Sequence, residues 1–173
     1  AEQVTPVDEK QTRFPSPGEY LYEPSGAVVR AHLVQELAQE LGANLIDPHL
    51  AYLTAAKAVQ SPLAQCYEVL EEIPVHEKQL KKWVREHGFT ALTIKKRGVD
   101  LVPEKMRATL LAGGAGKKSG KKAAKNQGYN PATLVFTRVG FGQQARRIGW
   151  HVRPVDFSDS AQVSSSDTKN SVV

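Results

Sequence analysis

Between residues 63 and 155 the chain switches repeatedly between two hydrophobic periods, and that switching limits the fold more than any other feature. LAQCYEVLEEI mixes β-branched and aromatic positions with polar ones and stops at Pro74, so it reads as a strand, with helix as the alternative. VHEKQLKKWVREHG puts Leu80, Trp83, Val84 and His87 on one face at helical spacing, cations on the other, and Gly88 at the stop. ALTI reads as a strand, Pro103 opens a helix through MRATLL, and ATLVFTRV and ARRIGWHVRPV read as two strands joined at GFGQ in a hairpin. The order β-α-β-α-β-β predicts an α+β fold, with helices packed on a mixed β-sheet.

Upstream, Pro24 and Ser25 precede GAVVRAHLVQELAQELG, where Val29, Leu33, Leu37 and Leu41 recur at helical spacing and Gly42 supplies a stop. One helix is expected from about 26 to 41. Leu45, Ile46 and AYLTA read as short strand pieces joined by turns around Asp47-Pro48. Residues 1–18, with three prolines and no periodic pattern, read as a linker or arm. The Ser- and Asp-rich residues 156–173 read as a disordered tail. The domain expected between them, 19–155, divides into an acidic helical part, 19–60, and a basic α+β part, 61–155.

Charge sharpens this division. Residues 1–75 hold four cations against eleven carboxylates, whereas residues 76–153 hold eighteen cations against four. Such asymmetry points to a half that binds a polyanion and a half that faces something else; a dipolar molecule whose halves attract each other is the plainer alternative. The apolar runs are too short to cross a bilayer, and a lone Cys66 forms no internal disulfide, so a soluble, cytoplasmic chain is expected.

Several motifs fail on inspection. GGAGKKSGKK is not a phosphate-cradling loop, because Lys118 stands between Lys117 and Ser119 where that motif needs Ser or Thr directly after Lys. What remains is a Gly-rich basic loop carrying Lys117, Lys118, Lys121 and Lys122, either a solvated insertion or an arm on a nucleic-acid backbone. HEKQL lacks the second His of a zinc-binding helix, and the scattered histidines predict no metal. Asp47-Pro48 and Asn130-Pro131 are half-matches to the loop with which some methyltransferases hold a target amine. No Gly-rich cofactor turn follows an N-terminal strand, so no S-adenosylmethionine site is expected in these residues. No nucleophile pairs with a base, and no catalytic residue is assigned.

TIKKRG survives better. Lys95, Lys96 and Arg97 repel one another unless water, counterions or an anionic partner surrounds them. Gly98 exposes backbone beside them, and Arg138, Arg146 and Arg147 on the predicted hairpin extend the patch if those strands are neighbours. Such cations position phosphates rather than read bases. Phe141 or Trp150, if exposed, would add base stacking, although Trp150 has the pattern of a core residue. Lys78, Lys81, Lys82 and Arg85 read as a solvated helix face.

The blocks YLYEP, AYLT, CYEVLEEIPVHEKQLKKWVREHG, TIKKRGVD and ATLVFTRV, in that order over residues 18–154, resemble the THUMP-like C-terminal domain of a group of bacterial class I S-adenosylmethionine-dependent methyltransferases. The resemblance implies a preceding catalytic domain, absent from these residues, that holds S-adenosylmethionine. It also implies recognition of structured RNA, tRNA or rRNA, which supports a phosphate-binding role for Lys95, Lys96 and Arg97. The alternative is a scaffold that stabilises the methyltransferase domain without touching RNA.

Overall fold

A computed structural model describes residues 12–112, 128–140 and 142–158. Their backbone builds a mixed seven-stranded sheet from β1 (Tyr20–Pro24), β2 (Asn44–Leu45), β3 (Leu53–Ala55), β4 (Ala64–Ile73), β5 (Ala91–Arg97), β6 (Pro131–Val139) and β7 (Arg146–Pro154), in the order β2-β3-β1-β4-β7-β6-β5. Only β5 and β6 run parallel, and the connection between them carries helix α4 (Pro103–Leu111), as a parallel crossover requires. Helix α3 (Glu77–His87) joins β4 to β5, and β6 turns directly into its antiparallel neighbour β7. The α+β architecture with helices on a mixed sheet is therefore present.

The predicted helix over 26–41 is two helices, α1 (Gly26–Arg30) and α2 (Val34–Leu41), broken where His32 takes φ 58°. Val28 and Leu37 are both buried in one cluster with Tyr22 and Leu53. At about 100° per residue, positions nine apart point to opposite sides of a continuous helix, so one core can bury both only if the helix breaks. Leu33, expected on the buried stripe, is instead 48% exposed at the break. Gly42 does close α2, with φ 63°.

The sheet curls. β1 and β5 are separated by three strands, about 19 Å at ordinary strand spacing, yet Lys95 Nζ on β5 lies 3.3 Å from Glu23 Oε1 on β1. Only a sheet rolled toward a half-barrel allows this contact. Its inner face buries Leu21, Tyr67, Val69, Val135, Trp150 and Val152, and Ile46 and Tyr52 join them from either end of the segment between β2 and β3. The outer face carries α3 and α4 through Leu80, Val84 and Leu110 against Leu92, Ile94, Leu134 and Phe136. Trp150 is 1% exposed, so it belongs to the core and is unavailable for base stacking. Phe141 lies outside the described residues.

A register shift between Val69 and Glu71 divides β4. Before it, Tyr67 and Val69 point into the curl; after it, Ile73 joins the helix-bearing layer. One extra residue reverses the alternation, as a bulge does. At the N-terminal side, residues from the expected arm engage the domain. Thr12 bridges Leu45, Arg13 pairs with Glu19 at 2.8 Å, and Phe14 meets Trp150 edge-on. This pairing and the Ser16 amide hold Glu19 down to a pKa of about 2.

Candidate nucleic-acid interface

Strand alternation separates the three cations that end β5. Lys95 and Arg97 share the inner face, and Lys96 lies on the outer face and is exposed. The two inner cations are engaged. Besides its contact with Glu23, Lys95 lies over the Tyr67 ring at 5.8 Å. Burial works against its charge, but Tyr67 and Glu23 more than offset this and hold its pKa above the ordinary lysine value. Arg97 donates to the Pro24 carbonyl at 3.1 Å and stacks over Tyr52 at 5.4 Å. Burial, with Glu23 nearby, pushes the Tyr52 hydroxyl pKa up. These contacts fasten β5 to β1 and to the start of β3 across the mouth of the curl.

The outer cations differ. In the β6/β7 register Arg138 sits directly opposite Arg147, and Lys96 is opposite Phe136, two positions from Arg138 on the same face. All three are exposed, and none has a carboxylate partner among the described residues. Like charges facing each other across a strand pair are destabilising, so this arrangement is costly unless an anion is present. Arg146, one position along, points the other way and lies over Phe14 at 5.6 Å. Lys117, Lys118, Lys121 and Lys122 lie outside the described residues.

Beside the outer cations is a shallow cleft of about 340 Å³, lined in part by Asp47, His49, Gly98, Arg138 and Gly140. Asp47, 7% exposed, explains its shape. Its Oδ1 accepts from the His49 amide and its Oδ2 from the Gly140 amide, each at 2.8 Å. The carboxylate thus ties the β2–β3 segment to the β6–β7 turn. Gly98, at φ 68°, lets the chain leave β5 under Leu50, where a Cβ would come within 2.8 Å of the Leu50 side chain. The Asp-Pro half-match is accordingly a clamp. Among the described residues, no three His, Cys, Asp or Glu side chains gather as a metal site would need.

The other end of β5 holds a group that sequence reading did not single out. Trp83 and His87, expected on the core stripe of α3, lie at its rim beside Phe89 and His151. Trp83 Nε1 donates to Glu71 Oε1 at 3.1 Å, which the β4 register shift places on this face. His87 Nδ1 lies 2.8 Å from the Trp83 carbonyl, and its ring is nearly parallel to Phe89, with centroids 5.4 Å apart. Burial pushes the His151 pKa down. The signal in the sequence is only an i, i+4 Trp-His pair followed two residues later by Phe.

A family model described as THUMP domain-like matches residues 64–154, from the first residue of β4 to the last of β7. The chain belongs to the THUMP domain-like family. The matched span contains both the outer cation cluster and the aromatic group. Of the groups that restrain the inner cations, Glu23, Pro24 and Tyr52 lie upstream of it and Tyr67 within it. Two relatives from Mycobacterium tuberculosis, strains CDC 1551 / Oshkosh and ATCC 25618 / H37Rv, bear the name of uncharacterized S-adenosylmethionine-dependent methyltransferases. Each is 29% identical over 137 residues, which is 79% of this chain and 34% of theirs. A crystal structure described as that of a "putative methyltransferase" from Porphyromonas gingivalis W83 aligns with a TM-score of 0.56 at 20% identity, covering 86% of this chain and 33% of the other. That likeness is one of fold. The THUMP-like chain spans about a third of the length of the proteins it matches.

Proposed function

We propose that this chain is the substrate-recognition part of an S-adenosylmethionine-dependent methyltransferase, and that it holds structured RNA, tRNA or rRNA, by its phosphates. The observation that carries this reading is the facing pair Arg138 and Arg147 with Lys96 beside it, exposed and without carboxylate partners among the described residues. Carried on neighbouring strands, such cations offer a phosphate backbone a fixed spacing and carry no base-specific information. Lys95 and Arg97, engaged by Glu23, Pro24 and two tyrosine rings, brace the strands instead of contacting phosphate. Arg146 flanks the outer cations as a secondary contact, and Lys117, Lys118, Lys121 and Lys122 would extend the surface. S-adenosylmethionine and the chemical step belong to a catalytic domain outside these residues, and the setting is cytoplasmic. This segment then contributes orientation and effective concentration rather than a reacting group.

The test is binding to bulk tRNA beside duplex DNA at one fixed salt concentration, with wild type and a Lys96→Ala/Arg138→Ala/Arg147→Ala variant. The reading expects tighter binding to tRNA and a loss of roughly tenfold or more in the variant. Equal, weak binding by both proteins rejects it. A scaffold reading draws on a different observation: Leu33, Val59 and Leu63, on the acidic side around α1, are 48%, 41% and 42% exposed. On that reading these side chains meet the methyltransferase domain, and the outer cations are merely solvated.

A further inference from the structure

The aromatic group beyond α3 is more ordered than a solvated rim needs to be. The side-chain amide of Asn130 donates to the carbonyls of His87 and Gly88, each at 3.2 Å, and its backbone amide donates to Thr90 Oγ1 at 2.9 Å. These bonds fix the end of α3 to the start of β6. They also fix the base of Tyr129, the preceding residue, which is 82% exposed. His87 is held by the Trp83 carbonyl, and Trp83 by Glu71, so the orientation of these two rings is set before anything binds. Trp83 and Phe89 pack partly on the core, whereas His87 is exposed.

Rings held in this way, with polar edges and open surface, suit flat partners, and preorganisation lowers the cost of binding them. Charge favours a nucleic acid over a protein. On α3, Lys78, Lys82 and Arg85 are exposed but turned about 140–180° around the helix from His87. Glu71 beside the rings is bonded to Trp83, and the charge that favours a nucleic acid is that of Lys96, Arg138 and Arg147. The group also lies on the helix-bearing side of the sheet, as Lys96, Arg138 and Arg147 do, about 17 Å away along β5 at strand rise. We propose that Tyr129, His87 and Phe89, backed by Trp83 and His151, form a stacking platform for unpaired bases that extend from the RNA duplex held at the outer cations. This rests on the RNA reading above and adds to it the class of substrate: a duplex with a single-stranded extension.

The test uses the full 173-residue chain, an RNA hairpin with a blunt end, and the same hairpin carrying a single-stranded tail. His87→Ala/Tyr129→Ala alters exposed side chains, and His87→Phe keeps a ring to stack on; thermal unfolding checks that each is folded. Wild type should prefer the tailed hairpin by roughly five- to hundredfold. The double variant should lose that preference without change in its affinity for the blunt hairpin, and His87→Phe should retain most of it. If wild type binds both hairpins alike, or the double variant keeps the preference, the platform is rejected while the RNA reading stands. If wild type binds neither hairpin, the RNA reading fails and the platform with it.

Discussion

Lys95 and Arg97 differ from Lys96, Arg138 and Arg147 in what surrounds them, although all five sit at one end of the same three strands. The inner pair meets a carboxylate, a carbonyl and two tyrosine rings, and fastens the curl of the sheet. Among the described residues the outer three are exposed and face one another, with no carboxylate beside them. A cation that already has partners must give them up to bind a phosphate, whereas one that repels its neighbour gains from any anion that arrives. A basic run therefore does not act as a unit: strand alternation divides it into a structural half and a half open to ligand.

The contrast is broken most completely at Asp47, whose carboxylate ties the segment plugging the curl to the turn between Arg138 and Arg147. Asp47→Ala removes the acceptor that the Gly140 and His49 amides share and should cost about 1–2 kcal/mol in denaturant unfolding. It should weaken RNA binding as the outer strands lose their spacing. Glu23→Gln tests the inner side alone. It removes the carboxylate from Lys95 and should cost about 1 kcal/mol, while leaving RNA binding unchanged or tighter by less than about tenfold as Lys95 is released. Arg147→Thr sharpens the outer side. Relief of repulsion from Arg138 should stabilise the fold by a few tenths of a kcal/mol even as RNA affinity falls, so that stability and binding move in opposite directions.

Much of this was legible in the sequence. α3, α4 and the β6–β7 hairpin follow their apolar periods, with stops at Gly88 and Val139–Gly140 where the chain turns. Period-two alternation already implies that Lys95 and Arg97 part from Lys96. Glu23, however, is 72 positions from Lys95 and reaches it only because the sheet curls, which no local pattern announces. The α1–α2 break was hidden for a related reason: Val29, Leu33, Leu37 and Leu41 keep a helical stripe, but the core that formed takes Val28 and Leu37 together. The aromatic end was read as core because Trp83 and His87 share the stripe of Leu80 and Val84. The β4 register shift that turns Glu71 toward Trp83 has no marker in the residues around it.

The most direct measurement is the slope of log binding constant against log salt for structured RNA, taken for wild type, for Lys96→Ala/Arg138→Ala/Arg147→Ala and for Lys95→Met/Arg97→Met. Loss of three phosphate contacts should make the outer variant's slope shallower by about two. The inner variant should keep the wild-type slope and lose stability instead. A full slope in the outer variant, or a slope lost only in the inner one, would contradict the division of the two cation sets.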